Sequence, residues 1–389
     1  MEKKGRKFSI GGFFKKYYKY IFLAIGIVGM VVIFLESDPA NIEWSRFAST
    51  DFAILFAECI GVWFAIYVLH TLTYKIILKE ESKKIDIPHL FKITMTGFAL
   101  NNVTPAGLVG GEPYRIMELK KYCSTEKSAS ATFSFTVLYA LGHLLLWDAG
   151  TIVYICYGMP GSLPVTILLL VTGGFNLIAT FCLIFLRINM VYPIMRFLTK
   201  LPIIGKFLKP MVERKKDTYI EIDNLMQEFR RDWFRFGIVL LIQFVTRLLE
   251  AFEYYLIIRF CLNGLNVNLN YFDGLMVMAT CSLVGNLIFI IPMQAGAREG
   301  GLSIALNFLF DDAIVSGLLV PVGLIYRLRE FVCTTIGIIM VAATRRNKKA
   351  IAEVENKEAE MLEQQSVSEN AENKEVIEEV EINDKNKDE

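Results

Sequence analysis

The chain has 389 residues, 54% of them hydrophobic and only 21% charged, where an average soluble domain carries about 25% charge. With its long apolar runs, that balance excludes an ordinary soluble enzyme and reads as a polytopic, all-α membrane protein. The net charge of +1 conceals an asymmetry: residues 1–344 hold 33 Lys and Arg against 26 Asp and Glu, whereas 345–389 holds 8 against 14.

The basic, aromatic N-terminus at 1–19 leads into a short apolar run, Tyr20–Leu35. No A-x-A cleavage site follows it, and further apolar runs come after, so a retained signal-anchor helix is expected. The next run is Phe52–Leu78, and then a shorter one, Leu90–Leu100, breaks into NNVTPAGLVGGEPYR at 101–115. Pro105, Gly107, Gly110 and Gly111 lie too close together for a regular helix to continue. Ser128–Trp147 and Leu163–Leu186 are the fourth and fifth apolar segments, followed by a basic stretch at 187–235 containing the amphipathic piece VYPIMRFLTKLPIIGKFLKP. Phe236–Phe260 and Phe272–Ile291 come next, the latter ending in PMQAGAREGG, and Leu302–Phe310 is a short apolar piece. Ile314–Ala343 is the last run, ahead of the Glu-rich tail at 345–389, for which disorder is expected.

The loop charges orient these segments. The 187–235 stretch holds 11 Lys and Arg, while the linkers at 36–51, 148–162 and 261–271 share only Arg46, so the former is expected inside and the latter outside. This works only if Leu90–Leu100 turns back at 101–112 and if 272–310 turns back at 292–299. The expectation is six full transmembrane helices plus two oppositely oriented re-entrant helical hairpins within 20–344, with both termini cytoplasmic. Broken segments entering from opposite faces point to a transport site.

Charges inside apolar segments cost about 3 kcal/mol or more, so each needs a reason. The first tip offers the amides Asn101 and Asn102 with Glu112 and Arg115; the second offers Arg298 and Glu299. The sixth span offers Arg247, Glu250 and Glu253, with Gln243 one turn before, and the last offers Arg327, Arg329 and Glu330. The sixth-span cluster is equally consistent with an internally neutralised structural network. Guanidinium groups at a helix break suit a phosphate, and N–H groups around Gly110 and Gly111 would add to an anion site. His143, with Trp147 and Asp148, is a weaker candidate for a proton relay. The seven cysteines lack C-x-x-C spacing, and no H-E-x-x-H, G-x-S-x-G or P-loop occurs, so neither a disulfide framework, a cofactor nor a nucleotide site is expected.

PAGLVGGEPYR, then IPMQAGAREG and LIYRLRE, resemble the lysylphosphatidylglycerol synthase transmembrane-region family, over about residues 15–345. Met293, Gln294 and Ala295 stand where that family's second motif is richer in glycine. The resemblance implies that Pro105, Gly110, Gly111, Glu112 and Arg115 form a first functional loop. It assigns Pro292, Gly296 and Glu299 to a second, and Tyr326 and Arg327 to an element of the last span. It also implies a flippase-like domain of a bacterial plasma membrane that moves a phospholipid, such as aminoacylated phosphatidylglycerol, or a polyprenyl-phosphate-linked lipid. Fused family members confer resistance to cationic peptides. The expected mechanism has Arg115, Arg298 and Arg327 holding one lipid phosphate, with Glu112 and Glu299 as their resting partners. The alternative is the membrane subunit of an aminoacyl- or glycosyl-lipid transferase working with a separate lipid-modifying enzyme, since the 45 residues after the last span leave no room for a soluble catalytic domain. Membrane lipids are the expected partners, and no nucleic acid is.

Overall fold

The computed structural model describes residues 44–103, 111–185, 191–200, 205–264, 267–287, 294 and 296–340. It divides into two compact units, Met1–Gly337 and Ile338–Glu389, and the first holds the helical body. The expected first span and the acidic tail lie outside the described residues. Among those residues the fold is all-helical, with no strand.

Helix α1 (Thr50–Leu78) starts where Ser49 Oγ accepts the Phe52 N–H at 3.2 Å, a cap that satisfies an otherwise orphaned donor. After a 3₁₀ turn come α2 (Ile87–Val103) and the short α3 (Gly111–Leu119). Helix α4 (Thr125–Cys156), capped by Ser124, runs well past its expected end and is followed by α5 (Leu163–Phe185). The 187–235 stretch contains more structure than one amphipathic piece. It folds as α6 (Val191–Leu198), α7 (Gly205–Arg214) and α8 (Lys216–Arg231). The buried Asp223 of α8 accepts the Val191 and Tyr192 N–H groups at 2.9 Å each, tying α6 to α8.

Helix α9 (Trp233–Cys261) is the central element, packed on α1, α4, α8 and α10. Helices α10 (Tyr271–Leu287) and α11 (Ala297–Leu309) pack on each other, as α2 and α3 do. A last helix, α12, occupies residues 312 to the unit's end at Gly337. Two helical stretches, Thr50–Lys84 and Thr125–Cys156, are long and apolar enough to cross a membrane, and Leu169–Ile184 is a shorter apolar stretch. Helix α5 turns Leu163, Phe175, Ile178 and Phe181 outward, each at least 60% exposed. A surface of that kind suits lipid rather than water.

Without a hydrophobic force between helices inside a bilayer, close approach has to come from small residues. Gly150 of α4 supplies one such contact: a Cβ there would stand 2.3 Å from Ala279 Cβ of α10. Trp147 Nε1 donates to Ser282 Oγ across the same seam.

Candidate functional site: a buried arginine–glutamate band

Helix α9 places Gln243, Arg247, Glu250 and Tyr254 three or four residues apart, hence on one face, with Glu253 beside them. None of the five is more than 4% exposed. Such charges persist in an apolar interior only when they are paired and hydrogen-bonded. Arg247 Nη1 meets Glu250 Oε1 at 2.8 Å and His143 Nε2 at 3.1 Å, and its guanidinium lies over the Tyr139 ring, 4.4 Å from the centroid. Glu253 accepts both arms of Arg329, Nε at 2.6 Å and Nη2 at 2.9 Å, and also the Trp63 indole N–H at 2.8 Å. Arg329 is held between the rings of Trp63 and Tyr326, at 4.2 and 4.3 Å.

The first turn of α3 adds Glu112 and Arg115. Asn101, in the last described turn of α2, accepts the Gly111 N–H at 2.7 Å and donates to Glu112 Oε1 at 3.2 Å. Arg115 Nη1 approaches the same Glu112 oxygen at 3.4 Å. The Arg115 guanidinium lies over Phe98 and Phe135 in a space left by Gly97, where an added Cβ would fall 2.1 Å from Nε. Among the described residues, Arg115 Nε and Nη2 and Glu112 Oε2 are buried without hydrogen-bond partners, as are Arg247 Nε and Nη2, Gln243 Oε1 and His70 Nδ1. His70 stacks on Phe98 at 4.8 Å and also meets Phe135 and Tyr139. The two arginines thus share one aromatic cage.

The start of α11 is built in a comparable way. Gly296, at φ 79°, opens the helix in a conformation that favours glycine, and its N–H donates to Glu299 Oε2 at 2.7 Å. Glu299 Oε1 accepts from Arg327 at 2.7 Å, and Arg327 Nη1 also donates to Glu330 at 2.8 Å. Arg298 Nε donates to Gln294 Oε1 at 2.7 Å, and the guanidinium lies over Tyr326 at 5.2 Å. Gly285 of α10 leaves room for this pair, since a Cβ there would come 2.6 Å from Gln294 Oε1 and 3.0 Å from Arg298 Cγ. Among the described residues Arg298 has no carboxylate within ion-pair distance, although Glu250 and Glu330 lie within its electrostatic reach. The band therefore holds five arginines and five glutamates. Arg327 takes two of the carboxylates and Arg298 takes none.

The structure regroups the expected site. Arg298, Arg327, Glu299 and Tyr326 come together with Gln294. Arg115 and Glu112 stand instead with Phe98, Phe135 and the Arg247–Glu250 pair, because Gly97 and the two phenylalanines hold the guanidinium on the α2–α4 side. Among the described residues no hydrogen bond or ion pair joins Arg115 to the Arg298–Arg327 group. Asn102 donates to Thr334 Oγ1 of α12 at 2.9 Å. Pro105, Gly110 and Pro292 lie outside the described residues. The relay through His143 and Asp148 is also corrected. Five residues along a helix turn the two side chains well apart, so His143 faces Arg247 while Asp148 accepts from Asn176 and Thr180 of α5. Trp63, His70 and Tyr139, which hold the band in place, were not among the expected site residues. Their signal is spacing: Trp63, Tyr67, His70 and Tyr74 recur every three or four residues along α1, and Phe135, Tyr139, His143 and Trp147 every four along α4.

Comparison with known proteins fits a membrane protein. A stretch of 113 residues, 29% of this chain, is 34% identical to a UPF0104 membrane protein of Methanothermobacter thermautotrophicus, and the match spans only 33% of that protein. The family model described as lysylphosphatidylglycerol synthase TM region matches residues 21–337, which takes in the whole arginine–glutamate band. The chain belongs to the lysylphosphatidylglycerol synthase transmembrane-region family.

Proposed function

We propose that the protein moves phospholipid headgroups between the leaflets of a bacterial plasma membrane, passing the phosphate along the buried band while the acyl chains stay in lipid. The observation that carries this reading is Arg298. It is a cation in the first turn of a short helix, stacked on an aromatic ring, with no carboxylate in contact among the described residues. Phosphate oxygens match its free guanidinium edge bidentately. Arg327 beside it already holds two carboxylates, so that Arg298, Arg327, Glu299 and Glu330 together sum to zero charge once the headgroup has left. Arg115 and Arg247, with N–H groups that are unused among the described residues, supply a second station.

Helix pairing supports the re-entrant reading. Helix α2 packs on α3 and α10 on α11, and the Asn101 side chain of α2 accepts the Gly111 N–H of α3, as the arms of two opposed hairpins would. With six full spans around them and both termini cytoplasmic, each hairpin would open the band to one leaflet in turn. Aminoacylated phosphatidylglycerol is the cargo that the family's description favours.

The test is reconstitution of the full chain in phosphatidylglycerol vesicles carrying a fluorescent phosphatidylglycerol analogue, with dithionite quenching of the outer leaflet. The expected result is that the wild type exposes inner-leaflet label, Arg298→Gln slows exposure at least about tenfold, the loss of one charge-assisted phosphate contact, and Arg298→Lys falls between. Equal rates for wild type and Arg298→Gln would remove the basis of the proposal.

A further inference from the structure

Each glutamate of the band has an arginine partner, whereas among the described residues Asp148 of α4 has none. Asp148 is 7% exposed, and its partners are neutral side chains of α5. Asn176 Nδ2 donates to Oδ1, and Thr180 Oγ1 lies 3.0 Å from Oδ2. Gly174 is the midpoint of α5, so Asn176 and Thr180 stand about 3 and 9 Å beyond it along the helix. In a bilayer centred on α5, both fall within the hydrocarbon half-thickness of about 15 Å. The other ionisable groups nearby are engaged elsewhere. On α4, His143 turns to Arg247 and Tyr154 to Thr166. Glu250 of α9 and Asp273 of α10 are held by Arg247 and Tyr157, and α5 carries only Cys182. Among the described residues none of these, and no group of α1, α3 or α8, acts on Asp148 electrostatically.

An ionised carboxylate at that depth without a cation costs several kcal/mol, and a bound proton removes the cost. The hydrogen bonds fit the carboxyl in either state. Ionised, it accepts from the Asn176 amide and the Thr180 hydroxyl. Protonated on Oδ2, it donates to Thr180 Oγ1, and the threonine hydroxyl turns to the carbonyl four residues before it, that of Asn176. A hard metal cation fits less well, because the Asn176 N–H points at the carboxylate where such an ion needs oxygen lone pairs.

Between Asp148 and the far end of α4 stands a ladder of hydroxyls. Thr151 is one turn on, packed on Gly173 of α5, where an added Cβ would fall 2.9 Å from Oγ1. Beyond it, Tyr154 OH meets Thr166 Oγ1 at 2.8 Å and the Pro160 carbonyl at 2.9 Å, in the turn after α4. A cavity of about 30 Å³ opens beside these rungs, lined by Thr151, Tyr154 and, from α10, Thr280, with room for one or two waters. Thr151 and Thr280 donate to the Trp147 and Met276 carbonyls, which leaves their oxygen lone pairs for such a water.

We infer that Asp148 is a proton-binding site, loaded along the α4–α5 seam from the face that the loop charges place outside. The proton is taken up at Oδ2 and shared with Thr180, with no part for His143 or the arginines. Proton binding at Asp148 does not depend on the band. One consequence rests on the transport reading: where the band moves headgroups, loading of Asp148 makes the rate respond to external pH.

The test is infrared difference spectroscopy of the full-length chain in phosphatidylglycerol vesicles, titrated between about pH 5 and 9, where buried carboxyls exchange protons. Wild type should lose a protonated-carboxyl C=O band as pH rises, and Asp148→Asn should lack that band. Thr180→Val keeps the shape and removes the acceptor, so it should shift the band, a readout that does not hang on the folding of the Asp148 variant. Thr151→Val should keep the band but slow its decay after a jump in external pH by at least about tenfold, as loss of a relay station does. In the dithionite assay the wild-type rate should change with external pH and the Asp148→Asn rate should not. Identical carboxyl bands in wild type and Asp148→Asn, a band unmoved in Thr180→Val, or an unchanged decay in Thr151→Val would overturn the inference. A titrating band beside a transport rate that ignores external pH would overturn the coupling alone, and a titrating band in a wild type that moves no lipid would count against the transport reading instead.

Discussion

Replacing Glu253 with Gln isolates the strongest contact in the band. Glu253 is 0% exposed and Arg329 2%, and the carboxylate takes two guanidinium N–H groups and the Trp63 indole N–H. Gln keeps one acceptor oxygen and puts an NH₂ where the second oxygen stood, so at least one buried N–H then faces another donor and Arg329 keeps an uncompensated charge. Breaking one side of a buried ion pair costs about 3–5 kcal/mol. Removing both charges in Glu253→Gln/Arg329→Gln leaves neutral groups in the same space, and the cycle should return a coupling of about 2–3 kcal/mol. The assay is equilibrium unfolding of the purified chain in mixed dodecylmaltoside–SDS micelles, followed by tryptophan fluorescence. Arg298→Gln, which breaks no carboxylate contact, should cost about 1 kcal/mol or less in the same assay. A cost below about 1 kcal/mol for Glu253→Gln, or additive single and double variants, would refute the reasoning that this pair is buried and bidentate.

Three further outcomes follow from the geometry. Gly97→Ala forces Arg115 off the Phe98 face and should cost about 1–3 kcal/mol, but much less in an Arg115→Ala background; equal costs in the two backgrounds in the micelle assay would show that the guanidinium does not fill that space. Asp223→Asn removes the charge that accepts two N–H groups at the start of α6 and should cost about 1 kcal/mol, read as faster hydrogen exchange of the α6 amides while α9 is unchanged. In the proposed topology a membrane-impermeant maleimide applied outside labels the exposed Cys156 at the end of α4 and spares Cys123 before it. Burial pushes the Cys123 thiol up, against a hydrogen bond with Ser128. Less of it is thiolate at neutral pH, so after permeabilisation its labelling should speed up as pH rises from 7 to 9. Labelling of Cys123 from outside would invert the orientation.

Much of the helical body is legible in the sequence, because long apolar runs have few ways to satisfy their backbone. The expected run Phe236–Phe260 is α9 to within three residues at either end, and Phe272–Ile291 covers α10. The charges that matter are legible too, since each is an anomaly in an apolar helix. Their pairing is not. Arg329 finds Glu253 from 76 residues away and Arg327 finds Glu299 from 28, and no local spacing rule links such partners. Arg115 illustrates the same limit: its proximity to the other arginines depends on Gly97 and on where Phe98 and Phe135 point. The aromatic stripe at Phe135, Tyr139, His143 and Trp147 is visible as a period of four, yet its pattern is the same as that of plain core packing. The 187–235 stretch reads first as charge, which hides the period of Ile222, Met226 and Phe229, all buried on one face of α8.

In the proposed mechanism a phospholipid headgroup enters the protein interior at Arg298. A photoreactive phenylalanine analogue in place of Tyr326, which is 6% exposed and stacked under that guanidinium, tests it directly. On illumination in native membranes, mass spectrometry of the tryptic peptide should show a phospholipid adduct, and Arg298→Gln should abolish it while leaving adducts at a lipid-facing control, Phe175, unchanged. No phospholipid adduct at position 326 despite ready capture at 175 would contradict the claim.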